Sequence, residues 1–413
     1  MADFEKALQY VLSQQGMYPY FNQEAKDGDD LILCSSCFND EGLRLDATAI
    51  GMASNTKCSN CGKEDGYKLT KALVRSLCYR FFVRGTIRRF DYGGSPLIQM
   101  NEFRFNDSDI RVSPWLEHDV HLIEQAGEIG LFYYGPRFWM FGEIEPLKSL
   151  QKTEEIDNVI NKILEKYPRH LLNESHHFYR IRLNPAIPYE PSQYDSPPKA
   201  LSGNNRFDTS GFSIMYASPD LELCIHECRT TVEDELFAAK LVPIKPITML
   251  NLAAVIREEK VTEFNSLDLA IHFLFLAGKH AYPICGHIAK RIKDAGFDGI
   301  IYPSYFSNMR TGAVPFETIQ GLSVRMLEQL TDWVQAQSVP NIALFDCPVA
   351  EKKVRVHSIN RVIINSIKYE TSFGPAFVGH PVDETTPEKL KTAKLEQITD
   401  ELIKGSEETL PPS

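Results

Sequence analysis

Four cysteines stand in two pairs, Cys34 with Cys37 and Cys58 with Cys61, and twenty residues separate the pairs. Each pair has the two-residue spacing that lets a tight turn present two thiolates to one metal, and two such knuckles complete a tetrahedron around zinc. Because protein fills all four positions, the reading is one structural zinc per chain; a catalytic zinc would keep a position open. Two disulfides or four unpaired buried thiols are the alternatives, and the spacing favours the metal. The other cysteines carry less. Cys224, His226 and Cys228 lie close in sequence, but on a helix the cysteines share a face one turn apart while the histidine points elsewhere. Buried apolar cysteines are the preferred reading there. Cys78, Cys285 and Cys347 stand alone in apolar surroundings, and none suggests a nucleophile.

A second constellation is ordered along FYRIR (Arg180), GNNRFDTSGFSIMYASPDLELCIHE (Arg206, Tyr216, Glu227) and DAGFDGIIYPS (Ser304). Guanidinium groups grip phosphate-type anions through paired, charge-assisted hydrogen bonds. A carboxylate stabilises positive charge as it develops, an aromatic ring stacks on a planar ligand, and a hydroxyl orients either partner. Taken singly, an Arg, Glu or Ser is most often a solvated surface group, and Tyr216 in FSIMYAS would be a strand-core residue. Order and setting favour function. A strand-like run follows Arg206, LELCIHECR opens a helix at Glu227, and the short apolar strand GIIYP ends at Ser304, where loops commonly place chemistry.

These segments, in this order, resemble the RES domain family, named for its arginine, glutamate and serine. The resemblance covers about residues 175 to 370 and implies an α+β fold like that of ADP-ribosyltransferases, with NAD as substrate. Cleaving the nicotinamide–ribose bond builds an oxocarbenium-like charge on the ribose, which a carboxylate offsets. Glu227, Arg206, Tyr216 and Ser304 are then the expected catalytic residues, with Arg180, Arg206, Tyr216, Ser304 and Asn341 contacting NAD. Asn341 opens NIALF, which looks like the family's closing strand. Residues 305 to 340 read as an insertion containing a helix, SVRMLEQLTDWVQAQ, with apolar Val324, Leu327, Leu330 and Val334. Phe306 stands where the family often has an arginine; Arg310 is the substitute candidate. The implied reaction is NAD cleavage by water or inorganic phosphate, as in toxins that deplete NAD under the control of an antitoxin or regulatory partner. Transfer of ADP-ribose to a protein or nucleic acid is the alternative reaction. A zinc-ribbon binding module with a RES-like scaffold is the non-enzymatic one.

The 413 residues, 43% hydrophobic, suffice for two or three domains. The expected divisions are residues 1–66 (a helix and the zinc module), 67–165, 166–370 (the RES-like domain) and a polar tail, 371–413, with a helix from Thr386 to Gly405. MADFEKALQYVLSQQ lacks the basic start and apolar core of a signal peptide, and no run approaches a membrane span, so cytoplasmic location is expected. A net charge of -11 argues against a broad nucleic-acid footprint. The local exception is YKLTKALVRSLCYRFFVRGTIRRF, a basic amphipathic helix with Leu69, Leu73, Leu77 and Phe81 on one face and Lys71, Arg75, Arg80, Arg84 and Arg88 on others. With the zinc module it offers a place for nucleic acid or an acidic partner, although solvated or internally paired arginines are the preferred reading. PAIPYEPSQYDSPPKALSG reads as a mobile surface loop before Arg206. Absence of GxGxxG and GxxxxGK[ST] patterns leaves orthodox dinucleotide redox folds and P-loop NTPases unsupported.

Overall fold

The computed structural model describes residues 30–101, 108–135, 143–198, 205–208, 211–307, 318–319, 322–367, 369 and 371–380. The expected amino-terminal and tail helices and Arg310 lie outside these residues. Two compact units divide the described chain: a larger one of 88–95 and 143–370, and a smaller one of 30–87, 96–135 and 371–380. Both mix helices with strands, so the fold class is α+β.

In the larger unit, short runs with alternate residues on opposite faces make the strands β1 (Arg169–Leu172), β2 (Phe178–Leu183), β3 (Ile214–Ala217), β4 (Leu236–Pro243), β5 (Ile247–Asn251), β6 (Gly299–Pro303), β7 (Pro340–Phe345) and β8 (Val354–Val362). Its main helices are α1 (Ile156–Lys166), α2 (Leu221–Cys228), α3 (Leu267–Leu276) and α4 (Tyr282–Asp294). One sheet runs β3-β7-β6-β5-β1 and a second β8-β4-β2. β5 and β6 pair in parallel, which requires a crossover, and α3 and α4 supply it. Met215, Ala217, Met249, Ile301, Ile342 and Leu344 fill the space between the sheets with Phe178 and Leu241. The opposite face, carrying Ile214, Leu250, Ile300, Ala343 and Phe345, packs on apolar residues of α1, α3 and α4. α3 is apolar nearly all round, as a helix buried on most sides must be. Burying each such side chain contributes about 1.5–3 kcal/mol. The same alternation puts Tyr216, Tyr302 and Asn341 on the helix-covered side, with Tyr302 opposite Asn341 in register and Tyr216 opposite Ala343.

Two helix expectations change. Glu227 lies in the last turn of α2 and does not open it. The helix starts earlier because Asp220 caps it, accepting from the Leu223 N–H at 2.8 Å, and it ends where Arg229 turns left-handed at φ 50°. The inserted segment is broken: 3₁₀ turns at Val324–Met326 and Glu328–Leu330 precede a short helix, Thr331–Ala336. Val324, Leu327, Leu330 and Val334 nevertheless bury together. The three-residue spacing of Val324, Leu327 and Leu330 suits 3₁₀ turns, which repeat every three residues, and Val334 follows four residues on in the short helix.

The smaller unit corrects a third expectation. The basic segment is helical only over Lys71–Cys78, capped by Thr70, and then passes through a π-helical turn (Tyr79–Val83) and a 3₁₀ turn (Arg84–Thr86) into a strand, Ile87–Phe90. Arg88 is therefore on a strand. Leu69, Leu73, Leu77 and Phe81 form a buried stripe. Arg75 donates to the Gly127 carbonyl at 2.7 Å, and Arg80 pairs with buried Asp46 at 3.2 Å and donates to the Thr371 carbonyl at 2.7 Å. Among the described residues, no helix is long and apolar enough to cross a membrane.

Candidate active site and metal centre

The two cysteine pairs meet on the smaller unit. Cys34 ends a two-residue strand, Leu33–Cys34, that pairs with Lys68–Leu69, and a 3₁₀ turn, Ser35–Cys37, brings Cys37 round beside it. Sulfur separations are 3.7 Å for Cys34–Cys37, 3.5 Å for Cys34–Cys61 and 3.6 Å for Cys37–Cys58. All four sulfurs lie within 4.8 Å of one another. Tetrahedral zinc, with bonds of about 2.3 Å, needs sulfurs about 3.8 Å apart, so the four residues fit one such ion. Burial pushes the Cys34 and Cys37 thiols up, and a bound dication would favour their thiolates instead. Two buried anchors hold the knuckles. Asp119 accepts from the Asn39 and Asp40 N–H groups just after the first pair, at 2.7–3.0 Å. Lys68, fully buried, donates from Nζ to the carbonyls of Lys63, Glu64 and Asp65 just after the second, at 3.2, 3.0 and 2.8 Å.

On the larger unit, α2 carries Glu227 and packs on the second sheet through Cys224, whose thiol donates to the Tyr179 carbonyl at 3.3 Å and sits with Ile181, Leu236 and Ala238. Ser304, one residue past β6, and Asn341, near the start of β7, converge on the carboxylate from adjacent strands. Ser304 Oγ and Asn341 Nδ2 each donate to Glu227 Oε1 at 2.6 Å. Ser304 Oγ accepts from the Phe306 N–H at 3.1 Å, which leaves its own proton for the carboxylate. Both donors are buried while Glu227 is exposed, and Oε2 has no hydrogen-bond partner among the described residues. One oxygen is thus clamped and the other presented.

Tyr216 lies beside this group. Its hydroxyl accepts from the Phe207 N–H at 3.0 Å and donates to Asp208 at 3.2 Å, and its ring stacks on Phe207 with centroids 6.2 Å apart. Phe207 also meets Tyr302 edge-on at 5.1 Å. Burial, with Tyr302 and Asp208 close by, pushes the Tyr216 hydroxyl up; burial, then the Glu227 charge, does the same for Tyr302. Both stay neutral O–H groups at physiological pH.

The arginines are placed differently from one another. Arg180 is 5% exposed, and its Nη groups donate to the carbonyls of Tyr216 at 2.7 Å and Asp195 at 3.2 Å, tying β2 to β3 and to the turn at 195. Burial and the adjacent Arg182 pull its pKa down, although a guanidinium stays charged in proteins. Arg182 donates to the Gln193 and Asp195 carbonyls, at 2.8 Å each. Arg206 donates to the Leu274 and Ala277 carbonyls, both at 3.2 Å, closing the C-terminal end of α3, and lies over the rings of Phe275 and Tyr282.

Sequence reasoning passed over Tyr302, Phe207 and Asp208. Tyr302 had a usable signal: it stands two residues before Ser304, and in a strand that spacing puts both on one face. Phe207 and Asp208 are fixed by the turn that follows Arg206, which has no comparable periodicity.

No curated protein matches the chain. Residues 177–318, which hold Arg180, Arg206, Tyr216, Glu227 and Ser304 and stop short of Asn341, match the family profile of the RES domain, and this part of the chain is a RES domain.

Proposed function

We propose that the protein cleaves the nicotinamide–ribose bond of NAD and passes ADP-ribose to water or inorganic phosphate. The observation that carries this reading is the carboxylate of exposed Glu227, with Oε1 held by Ser304 and Asn341 and Oε2 without a hydrogen-bond partner among the described residues. A RES domain fits NAD as substrate. In the proposed step the C1′–N bond breaks with its electron pair going to the pyridinium nitrogen, so neutral nicotinamide leaves. Positive charge spreads over C1′ and the ring oxygen, and Oε2 meets the ribose 2′-hydroxyl as that charge grows. Water or phosphate then adds through oxygen to C1′, and water gives up a proton to solvent. Tyr216 is assigned to the nicotinamide ring, because its hydroxyl is tied back to the turn at 207–208 and cannot swing freely. Arg180 is assigned a positioning role, since its burial leaves it fastening β3 behind Tyr216. Arg206 is assigned a positioning role at the site's edge, where it closes the end of α3. The cysteine centre is proposed to hold zinc as a structural ion.

NAD depletion in the cytoplasm, held in check by an antitoxin or regulatory partner, is the biological role that follows. Small-molecule acceptors are favoured over macromolecules because water or phosphate needs only a small space at C1′, whereas a transferase must admit a bulky nucleophile there. With NAD labelled in the adenine, incubation in cell extract is expected to leave most label in free ADP-ribose or its 1-phosphate. Label found mainly on protein or nucleic acid would establish the transferase instead.

A further inference from the structure

We propose that Arg89 grips the pyrophosphate of the dinucleotide beside Glu227, a role that rests on the NAD reading above. Three arginines of the RES segment commit donors to backbone: Arg180 to the Tyr216 and Asp195 carbonyls, Arg182 to those of Gln193 and Asp195, Arg206 to those of Leu274 and Ala277. A pyrophosphate needs paired donors that are not already spent.

Arg89 has them. It is exposed, it belongs to the same compact unit as Glu227 despite lying far upstream, and its Nη1 donates to the Tyr305 hydroxyl at 2.7 Å. Among the described residues its other donors have no partner. Tyr305 immediately follows Ser304. Its ring meets Phe306 edge-on at 5.4 Å, and Phe306 stacks on His226, at 6.2 Å and 20°, the residue before Glu227. A run of three rings therefore leads from His226, the residue before Glu227 in α2, to the guanidinium. The backbone is held as well: Arg89 lies on the strand Ile87–Phe90, paired with Gly93–Pro96, and Tyr92 in the turn between them is buried in the large core, edge-on to His280 at 4.8 Å. A planar guanidinium fixed at one nitrogen loses less freedom on binding a phosphate than a loose side chain would.

The test compares two substrates that share the scissile bond. For NAD, Arg89→Ala is expected to raise KM about tenfold with kcat within a factor of two. For nicotinamide riboside, which lacks the pyrophosphate, variant and wild type should match. Arg89→Lys should recover part of the NAD effect and Arg89→Gln none. Equilibrium binding of ADP-ribose gives a readout independent of turnover, with about tenfold weaker binding expected for Arg89→Ala. Unchanged KM and unchanged ADP-ribose affinity would overturn the proposal, as would equal losses on both substrates, which would make Arg89 a prop for Ser304. A wild-type protein that binds ADP-ribose yet releases no nicotinamide would sink the cleavage reading alone, and the binding contrast would still decide Arg89. A wild-type protein that does not bind ADP-ribose would remove both.

Discussion

Replacing Glu227 by glutamine is expected to cut nicotinamide release from NAD by about a thousandfold, a loss typical when charge stabilisation of a transition state is removed. The geometry makes this a clean substitution. Glutamine can keep its carbonyl oxygen where Oε1 now accepts from Ser304 and Asn341, and its NH₂ then replaces the presented Oε2. The fold and the clamp survive, and what disappears is the negative charge facing the ribose. Melting temperature should therefore match wild type. Ser304→Ala and Asn341→Ala each remove one donor from the clamp and leave the other, so each is expected to lower kcat by about tenfold, at the level of one charge-assisted hydrogen bond. Single-turnover assays of nicotinamide release measure all three. A folded Glu227→Gln protein that turns over NAD at the wild-type rate would end the role assigned to this carboxylate.

Loss of the metal is expected to have the largest effect on stability. Structural zinc contributes about 10–16 kcal/mol in small cysteine modules, comparable with the whole stability of many domains. The smaller unit leans on that site: the turn after Cys37 sets Asp119, and the loop after Cys61 sets Lys68. Elemental analysis should find one zinc per chain. Cys58→Ser, or prolonged treatment with a strong chelator, should make residues 30–70 hydrogen-exchange rapidly while β3, β6 and β7 of the larger unit stay protected. Protein purified without chelators that contains no zinc would refute this.

What the sequence disclosed and what it hid divide along physical lines. The cysteine centre was legible because metal geometry demands a short spacing that few other structures need. Glu227 and Ser304 were legible through their order along the chain. Asn341 emerged only from the likeness of NIALF to a closing strand, since it reaches Glu227 through sheet pairing and nothing local marks it. The commitments of Arg180, Arg182 and Arg206 were hidden because their partners are backbone carbonyls, which every residue possesses. Arg89 was hidden by distance along the chain. The helix from Lys71 was overextended because period-four apolar spacing continued to Phe81, whereas the backbone widened into a π turn and released Arg88 to a strand.

Lys68 offers a clock for the smaller unit. Its amine is sealed behind three carbonyls of the loop that carries Cys58 and Cys61, whereas most lysines meet solvent. An amine-directed acylating reagent should therefore mark exposed lysines within seconds and reach Lys68 only when this loop opens. The lag before Lys68 gains mass, followed by peptide mass spectrometry, would time the spontaneous opening of the cysteine knuckle without any spectroscopic label.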